Sequence, residues 1–110
     1  MYQIINKDVI YQFLGEDPDL IKPMLEMILN NSLPELEQLD ELYENGDYES
    51  VRIKVHKAKS AMGYVGAQQT RQLLLEIEKG VKEVYPEKNA QLKSELEIVR
   101  QEVQQFISEI

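Results

Sequence analysis

The sequence predicts an all-α protein, an antiparallel four-helix bundle with an additional short N-terminal helix. Three observations carry that expectation. Apolar residues recur at steps of three and four along most of the 110 residues, the period of one helix face. No stretch alternates at period two long enough for a strand. Turn residues fall between the periodic runs, as short connections in a bundle require.

The first element runs from Asn6 to Gly15. Asn6 is placed to cap it, Val9 and Phe13 share a face, and Gly15 can end it. Asp17-Pro18-Asp19 then opens a second helix with an N-cap, a proline at the first position and an acid in the first turn. Its apolar face is Leu20, Ile21, Met24, Leu25, Ile28 and Leu29. Pro34 removes an amide donor and crowds the carbonyl of Asn30, which predicts a kink or a break near Asn31-Ser32-Leu33. The pattern resumes at Leu36, Leu39 and Tyr43 and stops at Asn45-Gly46.

Asp47 is positioned to cap the next helix, in which Val51, Val55, Ala58, Met62 and Val65 form one stripe. Gly66 ends or bends it. Leu74, Ile77, Val81 and Val84 supply the stripe of the following helix, and Tyr85-Pro86-Glu87 marks a further boundary. Leu92, Leu96, Val99, Val103, Phe106 and Ile110 then line one face of a last helix. They span fewer than three full heptads, so a role inside the bundle is favoured over a coiled-coil seam.

Composition narrows the function. The length fits one domain over residues 1–110. With no cysteine there are neither disulfides nor thiolate metal ligands. Apolar runs fall far short of the roughly 18 residues that cross a bilayer, and the first residues lack a basic n-region. A cytoplasmic protein, not bound to membrane, is expected. Twenty acidic residues against twelve basic give a formal charge of −8, which argues against nucleic-acid binding. No glycine-rich phosphate loop is present, so nucleotide hydrolysis has no home. One histidine without cysteine makes no zinc site. Glu76 and Glu78 fall on different helix faces and form a poor acid/base pair.

His56, the one histidine, lies about 140° from the apolar stripe of its helix, so it faces outward or sideways. Arg52, Lys59, Ser60 and Gly63 share its face, two cations and two small residues. A lone helical histidine is usually a plain surface or core residue, and a charge cluster is usually a solvated face. Position alone therefore leaves several roles open.

The run His56-Lys-Ala-Lys-Ser-Ala-Met-Gly-Tyr-Val-Gly-Ala67 resembles the phosphoacceptor signature of histidine-containing phosphotransfer (HPt) domains. In that family lysine stands three residues after the histidine, small residues follow, and glycine stands ten residues on. His56, Lys59, Ala61 and Gly66 match; Ser60 departs, because glycine is usual there. The acidic N-terminal half, the Asn45-Gly46-Asp47 break and Leu75-Glu76-Ile77-Glu78 extend the likeness to nearly the whole chain. The resemblance implies a phosphocarrier with no kinase activity of its own. His56 would take a phosphoryl group from the aspartate of a receiver domain and pass it to another, and Lys59 would stabilise the phosphoryl charge. Arg52, Ser60 and Gly63 would form the docking face. Partners would be response-regulator receivers or a hybrid histidine kinase, which would bring Mg²⁺; the chain, expected as a monomer, would need no cofactor. A helical adaptor carrying no phosphate and a self-association domain using the C-terminal stripe are the rival readings.

Overall fold

The computed structural model describes residues 2–110. In chain order the helices are α1 (Lys7–Leu14), α2 (Pro18–Met27), α3 (Leu33–Leu36), α4 (Leu39–Glu44), α5 (Tyr48–Tyr64), α6 (Gln68–Lys79) and α7 (Val81–Glu109), with a π-helical turn at Ile28–Ser32 between α2 and α3. The run from α2 to α4 acts as one bent arm, and with α5, α6 and α7 it makes the four-helix bundle; α1 is the additional short helix. No strand occurs among the described residues.

The caps do what the residue types dictate. The Asn6 side chain accepts from the amides of Asp8 (2.9 Å) and Val9 (3.3 Å). Asp17 accepts from Asp19 N at 3.0 Å. Asp47 accepts from both the amide and the hydroxyl of Ser50. Each satisfies donors that the first turn of a helix leaves orphaned.

Pro34 acts on the turn before it. The ring sits in the first turn of α3, and the chain widens upstream so that the Leu33 amide bonds to Ile28 O, five residues back. The wider turn relieves the crowding that the proline ring imposes on the preceding carbonyls. The arm therefore bends without leaving helical geometry.

Three expectations need correction here. The boundary placed at Tyr85-Pro86-Glu87 does not exist: the chain breaks at Gly80, and α7 runs unbroken through Pro86. The missing Pro86 amide frees the carbonyl of Lys82, and the Tyr43 hydroxyl donates to that oxygen at 2.6 Å. A donor from another helix thus supplies what the ring removed. In α1 the buried residue is Ile10, while Phe13 is 57 % exposed and meets the Tyr64 ring edge-on. Leu20 and Met24 of the α2 face are exposed too, whereas Ile21 and Leu25 are fully buried.

The core is a single cluster to which every long helix contributes, with Leu39, Val51, Val55, Met62, Leu74, Ile77, Val99 and Val103 at its centre. Most of the C-terminal stripe is spent inside it: Leu92, Val99, Val103 and Phe106 are buried. A self-association seam on those residues has no exposed surface to use.

Two glutamates of α7 that read as solvated surface are buried. Glu95 accepts from the Thr70 hydroxyl at 2.7 Å, tying α7 to α6. Glu102 accepts from the amides of Gln3 (2.5 Å), Ile4 (2.9 Å) and Ile5 (3.0 Å) and so pins the N-terminal segment to the bundle. Glu102→Ala removes the acceptor from three amides at once. It is expected to cost about 2–4 kcal/mol, since a hydrogen bond to a charged group contributes roughly 1.5–3 kcal/mol. Denaturant unfolding measures the loss, and Glu102→Gln, which keeps one acceptor oxygen, should lose less.

Candidate functional site

His56 sits near the middle of α5 on the side that faces outward between α5 and α6, and its side chain is 64 % exposed. The apolar stripe of α5 turns Val51, Val55, Ala58 and Met62 into the core, which rotates His56 out of it. Across the groove, on α6, Glu78 is placed by its buried neighbour Ile77 and by Leu74 one turn before. Its carboxylate forks: Oε2 pairs with His56 Nδ1, and Oε1 accepts from Lys59 Nζ at 2.6 Å.

This arrangement fixes the chemistry of the ring. An ionised carboxylate only accepts, so the neutral imidazole carries its proton on Nδ1 and its lone pair on Nε2. The hydrogen bond from Lys59 holds the Glu78 carboxyl below the usual carboxylate range; burial opposes this, and the bond to His56 adds to it. Glu78 therefore stays ionised. Both Lys59 and Glu78 are largely withdrawn from solvent, at 15 % and 14 % exposure, while the imidazole beside them is open.

The two cations expected around the histidine are both engaged. Lys59 holds Glu78, and Arg52 forks onto Glu49 three residues before it, through Nε at 3.0 Å and a second nitrogen at 2.5 Å. That pair raises the Arg52 pKa. Ser60 is exposed one turn beyond His56. Gly63 is half-covered: a Cβ built there would meet Cδ and Nε of Arg71 at 3.8 Å. Sequence reasoning placed all five residues on one face, and α5 brings them there, but it missed Glu78 and Arg71. Both come from α6, and periodicity within α5 carries no information about its neighbour.

The end of the site is fixed by Gly66. Its φ of +72° turns the chain after α5, and α1 closes over it, with Asn6 N donating to Val65 O at 2.8 Å. A model of the Hpt domain family matches residues 23–102. The chain belongs to the Hpt domain family. Comparison with curated proteins and with solved structures gave no match.

Hpt domains are phosphocarrier modules, not kinases; they carry out histidine phosphotransfer in two-component phosphorelays and interact with receiver domains and histidine kinases. The matched span contains His56, Lys59, Gly66 and Glu78, but not α1. α1, outside the matched span, covers the end of the histidine helix through the bond from Asn6 N to Val65 O. No helix among the described residues is long and apolar enough to cross a membrane.

Proposed function

We propose that this Hpt domain is a cytoplasmic phosphorelay intermediate in which His56 Nε2 takes the phosphoryl group from a receiver aspartyl phosphate and gives it to a second receiver aspartate. The observation that supports this most is the pairing of an open imidazole with Glu78 through Nδ1. Nε2 is the nitrogen with the free lone pair, and a neutral imidazole is a good nucleophile.

In the forward step Nε2 bonds to phosphorus, and the bond from phosphorus to the aspartyl oxygen breaks. The aspartate leaves as a carboxylate. The ring retains its Nδ1 proton and becomes a cation, which the ionised Glu78 stabilises. Onward transfer reverses the sequence: a receiver carboxylate attacks phosphorus, and neutral imidazole departs. Lys59, a three-donor ammonium one turn from His56, offers a charge-assisted hydrogen bond to the phosphoryl oxygens. Mg²⁺ and the acidic pocket belong to the receiver; this chain brings the nucleophile and the face that docks.

An exposed strip is available for that docking. His56, Ser60 and Tyr64 follow one another at steps of four along α5, and the Phe13 ring stands against Tyr64 at 5.8 Å between centroids. The strip thus runs from a polar, reactive end to an apolar one.

Receiver domains charged with acetyl phosphate provide the test: label should move from receiver to this chain within the time of a single mixing experiment. A chain that binds receivers yet stays unlabelled with all of them is the adaptor of the rival reading. Glu78→Gln keeps the shape of the side chain and removes its charge. Losing one charged hydrogen bond of roughly 1.5–3 kcal/mol should slow acceptance about tenfold to a hundredfold. Rapid-quench transfer rates check this, and an unchanged rate would show that Glu78 does not support the ring.

A further inference from the structure

We propose that Arg71 is a docking residue of this Hpt domain, recognising a carboxylate on the receiver face beside the phosphoaspartate. The inference rests on the phosphorelay reading above and adds the residue that sets how tightly the partner binds.

The groove between α5 and α6 has two matched positions. His56 stands opposite Glu78, and Gly63 stands opposite Arg71. Seven residues separate the two positions on each helix, which is about two turns and about 10 Å. Arg71 and Glu78 therefore project from the same side of α6, as His56 and Gly63 do from α5. Because Gly63 has no side chain, the stem of Arg71 lies directly on the outer surface of α5, 3.8 Å from where a Cβ would be. The arginine is thus set on the same exposed strip as the histidine, two turns toward the loop that joins α5 to α6.

Its charge is unpaired where those of the other two arginines are not. Arg52 and Arg100 each fork onto a glutamate three residues earlier, Glu49 and Glu97. The corresponding residue for Arg71 is Gln68, and no acid stands three or four residues to either side of it. Among the described residues no carboxylate lies within 4.0 Å of the Arg71 guanidinium. On the face of α5 that carries the histidine, Lys59 is occupied by Glu78 and Arg52 by Glu49. On a chain with a net charge of −8, an exposed guanidinium in no ion pair, two turns along the groove from the nucleophile, is the feature that draws in an anionic partner. Two turns along the groove from the ring, it is placed for the rim of the partner's pocket, leaving the phosphoryl group to Lys59. A planar fork of donors suits a carboxylate there.

The test is single-turnover transfer from an acetyl-phosphate-charged receiver, measured against receiver concentration at two salt concentrations, for the parent, Arg71→Gln and Arg71→Lys. In Arg71→Gln the half-saturating concentration should rise about tenfold and depend less on salt, because a rim charge acts on encounter. The saturated rate should stay within about twofold of the parent, and the melting temperature should not move. Arg71→Lys should recover part of the affinity and the salt dependence. If the half-saturating concentration and its salt dependence equal those of the parent, or if only the saturated rate falls, the docking role is wrong while the phosphorelay reading stands. If the parent takes no label from any receiver, the phosphorelay reading fails and the role of Arg71 falls with it.

Discussion

His56→Gln abolishes phosphoryl acceptance and leaves the fold intact. The side chain is 64 % exposed and its helix is held by Val51, Val55, Ala58 and Met62 on the opposite face, so removing the ring costs the core nothing. Substitutions at such positions usually change stability by no more than about 0.5 kcal/mol. Glutamine retains a polar side chain near Glu78 but has no nucleophilic nitrogen. The expected result is zero label from charged receivers, with a denaturation curve superimposable on the parent's. Residual labelling at the parent rate would move the acceptor elsewhere. A large drop in melting temperature would mean that His56 is a structural residue.

How much of this was legible depends on where each feature is encoded. The caps at Asn6, Asp17 and Asp47 are local: a short oxygen-bearing side chain satisfies the amides two or three residues on, and a reader needs only those few positions. The outward rotation of His56 is also local, because the stripe on its own helix fixes it. The face composition of Arg52, Lys59, Ser60 and Gly63 follows for the same reason.

What escaped is encoded between elements. Pro86 looks like a boundary because it deletes a donor, and nothing in its neighbourhood reveals that Tyr43, on α4, replaces it. Glu78 looks like one more surface acid on α6. Only the antiparallel register of α5 and α6 puts it on His56 and Lys59 at once. Glu95 and Glu102 look solvated for the same reason, and they are buried because Thr70 and the N-terminal amides come to them. Each of these misses is a group whose partner lies more than twenty residues away in sequence or on another helix.

Gly66→Ala is expected to destabilise the protein by about 2–5 kcal/mol. Two costs add. The backbone at Gly66 has φ +72°, a left-handed conformation that costs a residue with a Cβ roughly 1–2 kcal/mol. The new methyl would also lie 2.6 Å from Asn6 Cβ and 3.0 Å from Val9 Cβ, and overpacking of this kind costs roughly 1–3 kcal/mol. Those neighbours belong to the cap and first turn of α1, so the clash pushes on the helix that closes over the end of α5. Gly46→Ala is an internal control. Gly46 follows α4 with the same hydrogen-bond pattern as Gly66, its own amide bonding three residues back and the next amide five, and with a φ of +75°, but nothing stands within 4 Å of the new Cβ, so it carries the backbone cost alone. Denaturant midpoints for the two variants separate conformational strain from collision. Equal losses would show that α1 does not rest on Gly66.

The central claim is that Nε2 of His56 carries the phosphoryl group, and the position of the phosphate on the ring tests it most directly. The parent protein is charged from a phosphorylated receiver and its phosphate is located by phosphorus NMR, supported by acid and base stability and by mapping to the modified residue. The account predicts one phosphate per chain, labile in acid and stable in base, on Nε2 of His56, because Glu78 holds the proton on Nδ1. Phosphate on Nδ1, phosphate that survives acid on another residue, or no phosphate from any receiver would contradict it.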